Sequence, residues 1–203
     1  MDPKAMFRIG YGLYVLTAKE GYKNNGCIIN TAVQVTYNPN RLSICVNKLN
    51  YTDGMIWHTG EFNLSVLTVD APFKVYTDFG FCSGRDTDKF AGRSDFTVSP
   101  NGILYMTELT NAYISCKVVS AIDLGTHTMF IADVTDGELL SDAESVTYAY
   151  YHSNIKPKPA APTVKKGWRC RICGYIYEGE ILPDDFICPI CKHGAEDFER
   201  IEL

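Results

Sequence analysis

The chain has 203 residues, of which 46% are hydrophobic and 12% aromatic, so it can bury a substantial core. Its formal charge of −5 at pH 7 argues against nonspecific binding to nucleic acid, which requires basic surface patches. No apolar run approaches the ~20 residues of a membrane span, and the opening MDPKAMFRIG lacks the apolar segment of a signal peptide. We therefore expect a cytoplasmic protein that binds neither nucleic acid nor membranes.

Residues 1–152 form the first predicted domain, which is β-rich from residue 7 onward. Runs rich in Val, Ile, Thr, Tyr and Phe recur there, with Asn, Gly and Pro between them. The runs are YGLYVLTA, CIINTAVQVTY, RLSICVN, FNLSVLTV, YISCKVVSAI and HTMFIADVTDGELL. NNG, YNPN, SPNG and DLGTH predict turns. The spacing of the runs predicts a closed or nearly closed antiparallel barrel.

Two short stretches of this domain are predicted to be helical. TDGMIWHTG (52–60) places the capping-type residues Thr52 and Asp53 before an apolar run, and Gly60 can end the helix. RDTDKFAG (85–92) has a similar pattern. The first domain is therefore predicted to be mainly β with two short helices.

A linker is predicted over residues 153–167, SNIKPKPAAPTVKKG. Its three prolines and four lysines can bury little apolar surface, and proline favours an extended polyproline II conformation. The chain is therefore predicted to consist of two domains joined by an extended segment.

Residues 168–203 form the second, small predicted domain, which contains half of the chain's 8 cysteines. They occur in CRICGYIYEGEILPDDFICPIC with the spacing C-x2-C-x14-C-x2-C, in which each C-x2-C turn can supply two thiolates to a tetrahedral metal site. A domain this small usually needs a metal or disulfides to fold, so removing the metal should unfold it. Four thiolates suit either zinc or iron, and the spacing alone leaves that choice open.

The segments W-x-C-x-x-C-G-Y-I-Y-E-G-E and C-P-x-C-x-H resemble the short-loop rubredoxin domain found in rubrerythrins. The resemblance covers nearly all of residues 168–203. It implies one iron that cycles between the ferric and ferrous states, held as Fe(Cys)4 by Cys170, Cys173, Cys188 and Cys191. A structural zinc ribbon is the alternative.

An iron centre of this kind moves one electron at a time, so it needs a donor and an acceptor. If the donor is a nicotinamide, a flavin is needed to take up two electrons and pass them on singly. No G-x-G-x-x-G motif opens a βαβ unit, so a Rossmann site is not indicated.

The segments GCIINTAVQVTYNP, LSICVNKLNYTDGMIWHTGEFNLSVL and FGFCSGRDTDKF together resemble the flavin reductase-like family of FMN-binding split barrels. The resemblance spans about residues 7–152. It implies a mainly β fold, in which an FMN-binding split β-barrel precedes the small rubredoxin-like metal-bound domain. It also implies a homodimer with FMN at the subunit interface.

Carried over position by position, the resemblance assigns three groups of residues to FMN. The edge of the isoalloxazine ring would contact Asn30, Thr31, Ala32, Val33 and Gln34. The phosphate would be surrounded by Asn47, Lys48, Asn50 and Thr52, near the positive N-terminus of the first helix. Ser83 and Gly84 would approach the ring from another side. The family usually has two or three small hydroxyl residues where this chain has Val33 and Gln34.

His127, in DLGTHTMF, matches a histidine in a G-D-H turn of many flavin reductases, near the place where the nicotinamide stacks. It is therefore the candidate catalytic residue, although Thr126 stands in place of the acid. A hydrogen-bonding role at the surface is the alternative. The other four cysteines are expected to be buried, inert thiols. They are Cys27, Cys45, Cys82 and Cys116.

The two resemblances together imply an NAD(P)H-dependent oxidoreductase. Electrons would pass from NAD(P)H through FMN to Fe(Cys)4, and then to a partner such as a flavodiiron protein that reduces oxygen or nitric oxide. Two alternatives stay open. One is a flavin or ferric reductase with an ancillary metal domain, and the other is a noncatalytic ligand-binding protein with a structural zinc ribbon.

Overall fold

The computed structural model describes residues 2, 5, 8–157, 166–189 and 193–202. The chain divides into two compact units, Met1–Ile155 and Lys156–Leu203. Both units are built mainly from strands, which confirms the predicted mainly β fold. In the described part of the chain, no helix is long and apolar enough to cross a membrane.

The first unit carries nine strands and three α-helices within the described residues. The strands are β1 (Tyr14–Glu20), β2 (Lys23–Ile29), β3 (Val33–Thr36), β4 (Arg41–Asn47), β5 (Glu61–Leu67), β6 (Phe96–Val98), β7 (Leu104–Met106), β8 (Thr110–Asp123) and β9 (His127–Leu139). The helices are α1 (Tyr51–Thr59), α2 (Phe73–Gly80) and α3 (Tyr148–Tyr150). A π-helical turn at Tyr151–Ile155 continues α3 into the predicted linker.

Seven of these strands form one antiparallel sheet in the order β2-β1-β5-β8-β9-β4-β3. Strands β6 and β7 form a separate hairpin. Strands β2 and β3 follow each other in the chain but lie at opposite edges of the sheet. Residues 30–32 therefore cross from one edge to the other, and this crossing contains several of the predicted ring contacts.

Alternation along the strands determines which side chains enter the core. In β4, Leu42, Ile44 and Val46 are buried, whereas the residues between them are half-buried. Met55 and Ile56 of α1 pack into the same cluster. Because these two side chains anchor α1 on the sheet, they also fix the position of its N-terminus beside the end of β4.

Helix α1 confirms the predicted helix over residues 52–60, but its start differs from the prediction. Asn50 is the N-cap residue, so Thr52 and Asp53 lie inside the first turn. Both are buried and do not occupy the capping position. Gly60 ends the helix in the left-handed conformation with φ 70°, as expected of glycine.

The predicted turn at NNG is wrong, whereas the structure does turn within the other three segments. Asn24, Asn25 and Gly26 pair with β1 as part of β2. The chain reverses instead at Gly21, whose φ of 59° is readily adopted by glycine. As a result Asn25 is directed into the protein and is only 2% exposed.

The predicted helix over residues 85–92 is also wrong, because the chain forms successive turns there. Side chains compete with the helix for backbone N–H groups. Ser83 Oγ accepts from the Arg85 N–H at 3.2 Å, and Asp88 Oδ1 accepts from the Phe90 N–H at 2.9 Å.

Helix α2, just before this segment, was not predicted. Its buried residues Val75, Tyr76 and Phe79 pack into a second core cluster with Leu13 and Val15. Their i, i+1 and i+4 spacing is a helical pattern, but the run is short and rich in aromatic residues.

The second unit contains a three-stranded sheet in the order β11-β10-β12. Its strands are β10 (Lys166–Cys170), β11 (Ile176–Tyr177) and β12 (Phe198–Glu202), and a 3-10 turn at Ala195–Asp197 precedes β12. Aromatic side chains pack around the cysteines. Residues 158–165, most of the predicted linker, lie outside the described residues.

Candidate functional site

The turn between β4 and α1 gathers most of the residues predicted to surround a phosphate. The side-chain oxygen of Asn47 accepts from the Leu49 N–H at 2.9 Å and shapes this turn. Asn50 is the N-cap of α1, but its side chain makes no capping hydrogen bond. The first N–H groups of α1 therefore keep donor capacity that an anion could use.

Lys48 supplies positive charge in the same turn. Its ammonium lies 2.5 Å from Asp123 Oδ1 in the β8–β9 turn, and the Gly125 N–H donates to the same oxygen at 2.7 Å. The ion pair with Lys48, followed by the bond from Gly125, lowers the pKa of the Asp123 carboxyl. An anion bound at the start of α1 would compete with Asp123 for Lys48.

His127 lies directly opposite Asn47 in the pairing of β4 with β9. Its Nδ1 is 2.9 Å from Thr126 Oγ1, and the Thr126 carbonyl accepts from the Lys48 N–H at 3.0 Å. The structure thus places the candidate catalytic histidine beside the predicted phosphate residues. The family resemblance had assigned these residues to different parts of the site.

Thr52 is fully buried, and its hydroxyl accepts from Asn25 Nδ2 at 3.0 Å. The Thr52 side chain therefore faces β2 and the interior. Asn25 Oδ1 has no hydrogen-bond partner among the described residues. Gly84 lies against this amide so closely that a Cβ there would be 1.9 Å from Asn25 Oδ1. Asn25 consequently connects two predicted site residues, Thr52 and Gly84.

The segment that carries Ser83 and Gly84 is held in place by a half-buried lysine. Lys89 Nζ donates to the carbonyl of Gly26 at 2.8 Å and to the carbonyl of Phe79 at 3.3 Å. Burial lowers the pKa of Lys89. These two bonds tie the segment to β2 and to the end of α2.

Two further cationic side chains, those of Arg85 and Lys23, lie beside the start of α1. Arg85 Nη1 donates to the Leu49 carbonyl at 3.0 Å. The guanidinium of Arg85 lies 5.3 Å from the centre of the Tyr51 ring, and the ammonium of Lys23 lies 4.6 Å from it. Together with Lys48 they give this helix terminus a positive environment.

Ala32, Val33 and Gln34 line an open cleft of about 470 Å³. Strands β8 and β9 form the other side, where the Tyr113 hydroxyl donates to Asp136 Oδ2 at 2.8 Å. That bond raises the pKa of Tyr113 to about 12, so its proton stays in place. The lining is mostly apolar, which suits a planar aromatic ring.

Asn30 and Thr31 lie on the crossing between β2 and β3. The Thr31 hydroxyl donates to the Cys45 carbonyl at 2.7 Å and accepts from the Cys45 N–H at 3.1 Å. These bonds fix the crossing against β4. Asn30 is half-buried at its start. The five predicted ring contacts are thus divided between the crossing and the cleft.

Three of the four predicted metal ligands lie together in the second unit. The sulfur atoms of Cys170, Cys173 and Cys188 are all within 4.8 Å of one another, and Cys173 Sγ is 3.5 Å from Cys188 Sγ. Tetrahedral corners around a metal with ~2.3 Å metal–sulfur bonds would be ~3.8 Å apart, so these sulfurs fit a thiolate-bound metal. Cys191, the fourth predicted ligand, lies outside the described residues.

The remaining cysteines agree only in part with the expectation of buried, inert thiols. Burial raises the pKa of Cys27 to about 11 and that of Cys116 to about 12, so both stay protonated at neutral pH. Cys45 is half-buried, and burial raises its pKa as well. Cys82 is exposed, so the expectation is wrong there. It lies in the turn that follows the end of α2.

Several residues of this site were missed by the sequence analysis. Asn25 was hidden because NNG resembles a turn, and Asp53 because an acid next to Thr52 resembles a helix cap. Lys89 lies in a segment with an ordinary charged composition. The side chain of Lys89 points inward because it donates to carbonyl groups of other elements. No sequence pattern indicates those contacts.

The sequence profile of the flavin reductase like domain matches residues 6–158. The chain belongs to the flavin reductase-like family. The profile of the rubrerythrin, rubredoxin-like domain matches residues 168–199. This member of the flavin reductase-like family therefore also carries a rubredoxin-like domain, and the predicted combination is confirmed.

Two similar proteins support the same assignment. High molecular weight rubredoxin from Moorella thermoacetica is 37% identical over 99% of this chain and 100% of its own length. Ferric-chelate reductase (NAD(P)H) from Archaeoglobus fulgidus is 38% identical over 81% of this chain and 97% of its own. Both similarities support an oxidoreductase of the flavin or ferric reductase type.

A solved structure shares the fold. Nitrilotriacetate monooxygenase component B from Mycobacterium thermoresistibile has a TM-score of 0.63 to this chain at 20% identity, covering 71% of this chain and 78% of its own. At that identity the likeness concerns the fold alone.

Proposed function

We propose that this protein is an FMN-containing, NAD(P)H-dependent oxidoreductase that delivers electrons to a four-cysteine iron site and then to a partner protein. The observation that carries the proposal is the similarity to high molecular weight rubredoxin over 99% of the chain. The cysteine cluster and the cationic start of α1 support it, because they give the two units sites of suitable chemistry.

FMN fits the first unit through its phosphate and its ring. The uncapped start of α1, Lys48 and Arg85 offer donors and positive charge for one terminal phosphate. Ala32, Val33 and Gln34 offer one wall of an apolar cleft for the ring. Bound FMN would supply the chemistry of taking up two electrons and releasing them singly.

Iron fits the second unit through Cys170, Cys173, Cys188 and the predicted ligand Cys191. The described sulfurs are buried or half-buried within a shell of aromatic side chains. Such a shell limits access of water to the thiolates, and a bound iron would supply one-electron chemistry there. Iron is proposed over zinc because of the rubredoxin-like similarity.

The functional form is proposed to be a cytoplasmic homodimer. Strand β3 lies at the edge of the sheet, and all four of its residues are exposed. Its apolar side chains Val33 and Val35 are 57% and 47% exposed. An exposed apolar edge strand promotes aggregation, and a second copy of the chain would cover it. The neighbouring cleft would then be covered by the partner as well.

Replacing Val35 with lysine is expected to shift the protein from dimer to monomer and to weaken FMN binding, because a charge at the proposed interface opposes association. Sedimentation velocity at several protein concentrations measures the shift. Tyr22→Lys, at a fully exposed turn position away from β3, is the matched control and should stay dimeric. A Val35→Lys protein that sediments like the unchanged protein would contradict the proposed interface.

Anaerobic titration of the purified protein with NADH and, separately, NADPH tests the electron path. We expect flavin absorbance to bleach and the iron bands to bleach after it, with reoxidation when an oxidised flavodiiron protein is added. That acceptor is proposed because the resemblance implies, as the partner, a flavodiiron protein that reduces oxygen or nitric oxide. Bleaching of the flavin without bleaching of the iron would contradict the path.

A ferric reductase activity is the second candidate, favoured by the 38% identity to ferric-chelate reductase over a region covering 81% of this chain. It would use the first unit alone. A chain shortened to residues 1–155 that reduces a ferric chelate as fast as the full chain would support this candidate and make the second unit ancillary.

A further inference from the structure

We propose that binding of the flavin phosphate is coupled to the uptake of one proton by Asp53, a carboxylic acid buried in the first turn of α1. The proposal rests on the proposed function, because it takes the start of α1 as the phosphate site. It assigns a regulatory role to a residue that the family resemblance leaves out.

A carboxyl group with an unused oxygen lies in the first turn of α1, next to the proposed phosphate site. Asp53 is 7% exposed, and its Oδ1 has no hydrogen-bond partner among the described residues. Its N–H donates to the Asn50 carbonyl at 3.1 Å, which holds the residue in the first helical turn. The Thr128 hydroxyl lies close enough to the carboxyl group to stabilise its negative charge. The Oδ1 atom is nevertheless left without a hydrogen-bond donor among the described residues.

The charges that face Asp53 come from three other elements. Lys48 in the β4–α1 turn and His127 on β9 stabilise its negative charge, whereas Asp123 at the end of β8 opposes it. The buried thiol of Cys27 on β2 also faces it. The Lys48 ammonium is already paired with Asp123, so Asp53 has no ion-pair partner of its own within the described residues. Burial is the largest influence and raises the pKa of Asp53.

A phosphate at the start of α1 would add up to two negative charges beside this carboxyl group. Both anions would compete for Lys48 and for the same helix terminus. Protonation of Asp53 by a proton from solvent removes the repulsion. A protonated Asp53 can also donate its O–H to a phosphate oxygen, and a bound phosphate therefore favours the protonated form of Asp53.

The sign of the pH dependence follows from this coupling. A ligand that binds with uptake of a proton loses affinity as pH rises above the pKa of Asp53 in the free protein, by up to about tenfold per pH unit. The phosphate of free FMN has its own second pKa near 6, so its own titration is essentially complete above about pH 7. Riboflavin lacks the phosphate and should bind without this pH dependence.

The test measures the affinity of the full-length, flavin-depleted protein for FMN and for riboflavin between pH 7 and 9 by fluorescence quenching. We expect the Kd of FMN to rise with pH and that of riboflavin to stay constant. Asp53→Asn, which keeps the side-chain shape without the charge, should abolish the slope and bind FMN about tenfold more tightly at high pH. The control Asp123→Asn should tighten FMN binding by freeing Lys48 but keep the slope.

Two outcomes would overturn the inference while leaving the proposed function intact. In the first, the Kd of FMN changes with pH equally in the unchanged protein and in Asp53→Asn. In the second, the Kd of riboflavin changes with pH as steeply as that of FMN. Failure of both flavins to bind at any pH would overturn the proposed function itself, and the inference with it.

A second measurement needs no variant. Calorimetry of FMN binding in buffers of different ionisation enthalpy should show uptake of up to about one proton with FMN and none with riboflavin. Phosphorus NMR of the bound FMN should show a dianionic phosphate, which assigns the proton to the protein. A monoanionic bound phosphate would place the proton on the ligand and overturn the inference.

Discussion

Replacing Cys188 with serine is expected to abolish metal binding and unfold the second unit, while the flavin reductase-like unit stays folded. Cys188 is fully buried, and its Sγ lies 3.5 Å from Cys173 Sγ at the centre of the small aromatic cluster. In zinc-finger peptides the metal contributes about 10–16 kcal/mol of apparent binding energy, and a metal bound with comparable energy here would outweigh the few kcal/mol that a core this small supplies. Metal analysis and limited proteolysis measure the two effects.

Cys82→Ser is the matched control for this substitution, because Cys82 is an exposed thiol of the first unit. It should keep the same metal content and the same protease resistance as the unchanged protein. Flavin content should also be equal in both variants. A Cys188→Ser protein with an unchanged iron content would show that the three described sulfurs are not the metal site.

Replacing Gly84 with alanine is expected to weaken flavin binding by about tenfold or more. A Cβ at this position would lie 1.9 Å from Asn25 Oδ1, far inside contact distance. Asn25 is short, buried and bonded to Thr52, so the strain falls on the segment carrying Ser83 and Gly84. Overpacking of this kind costs about 1–3 kcal/mol, and 1.4 kcal/mol is a factor of ten in affinity. Fluorescence titration with FMN measures the change.

Gly80→Ala provides the control, since a Cβ there would meet Ile28 at an ordinary 3.5 Å. Its flavin affinity should be unchanged. Adding Asn25→Ala to Gly84→Ala should recover part of the lost affinity, because the clashing oxygen is removed. A Gly84→Ala protein that binds FMN with unchanged affinity would contradict the importance of this close approach.

The parts of the fold that could be predicted from the sequence depend on local patterns. The alternation in RLSICVN predicts the buried Leu42, Ile44 and Val46 directly, because neighbouring side chains of a strand face opposite sides. The cysteine spacing likewise predicts a cluster, since each pair is held by one short turn. Both patterns need only residues close together in sequence.

The rest of the site depends on contacts between residues far apart in the sequence. The sequence predicts a turn at Asn25, but the chain reverses earlier, at Gly21, and NNG therefore pairs with β1 as part of β2. Lys89 enters the interior because it meets the carbonyls of Gly26 and Phe79, which belong to other elements. The proximity of His127 and Asn47 follows from the register of β4 and β9, which no local pattern determines.

The exposed edge strand β3 has a consequence for how this protein can diverge. Side chains that are not packed against a core change with little loss of stability, usually within about 0.5 kcal/mol. Val33 and Gln34, two of the predicted ring contacts, are both exposed in the single chain. Mutational drift at these positions would therefore leave the folding of a single chain almost unaffected, and selection on them would act through the proposed dimer and flavin site.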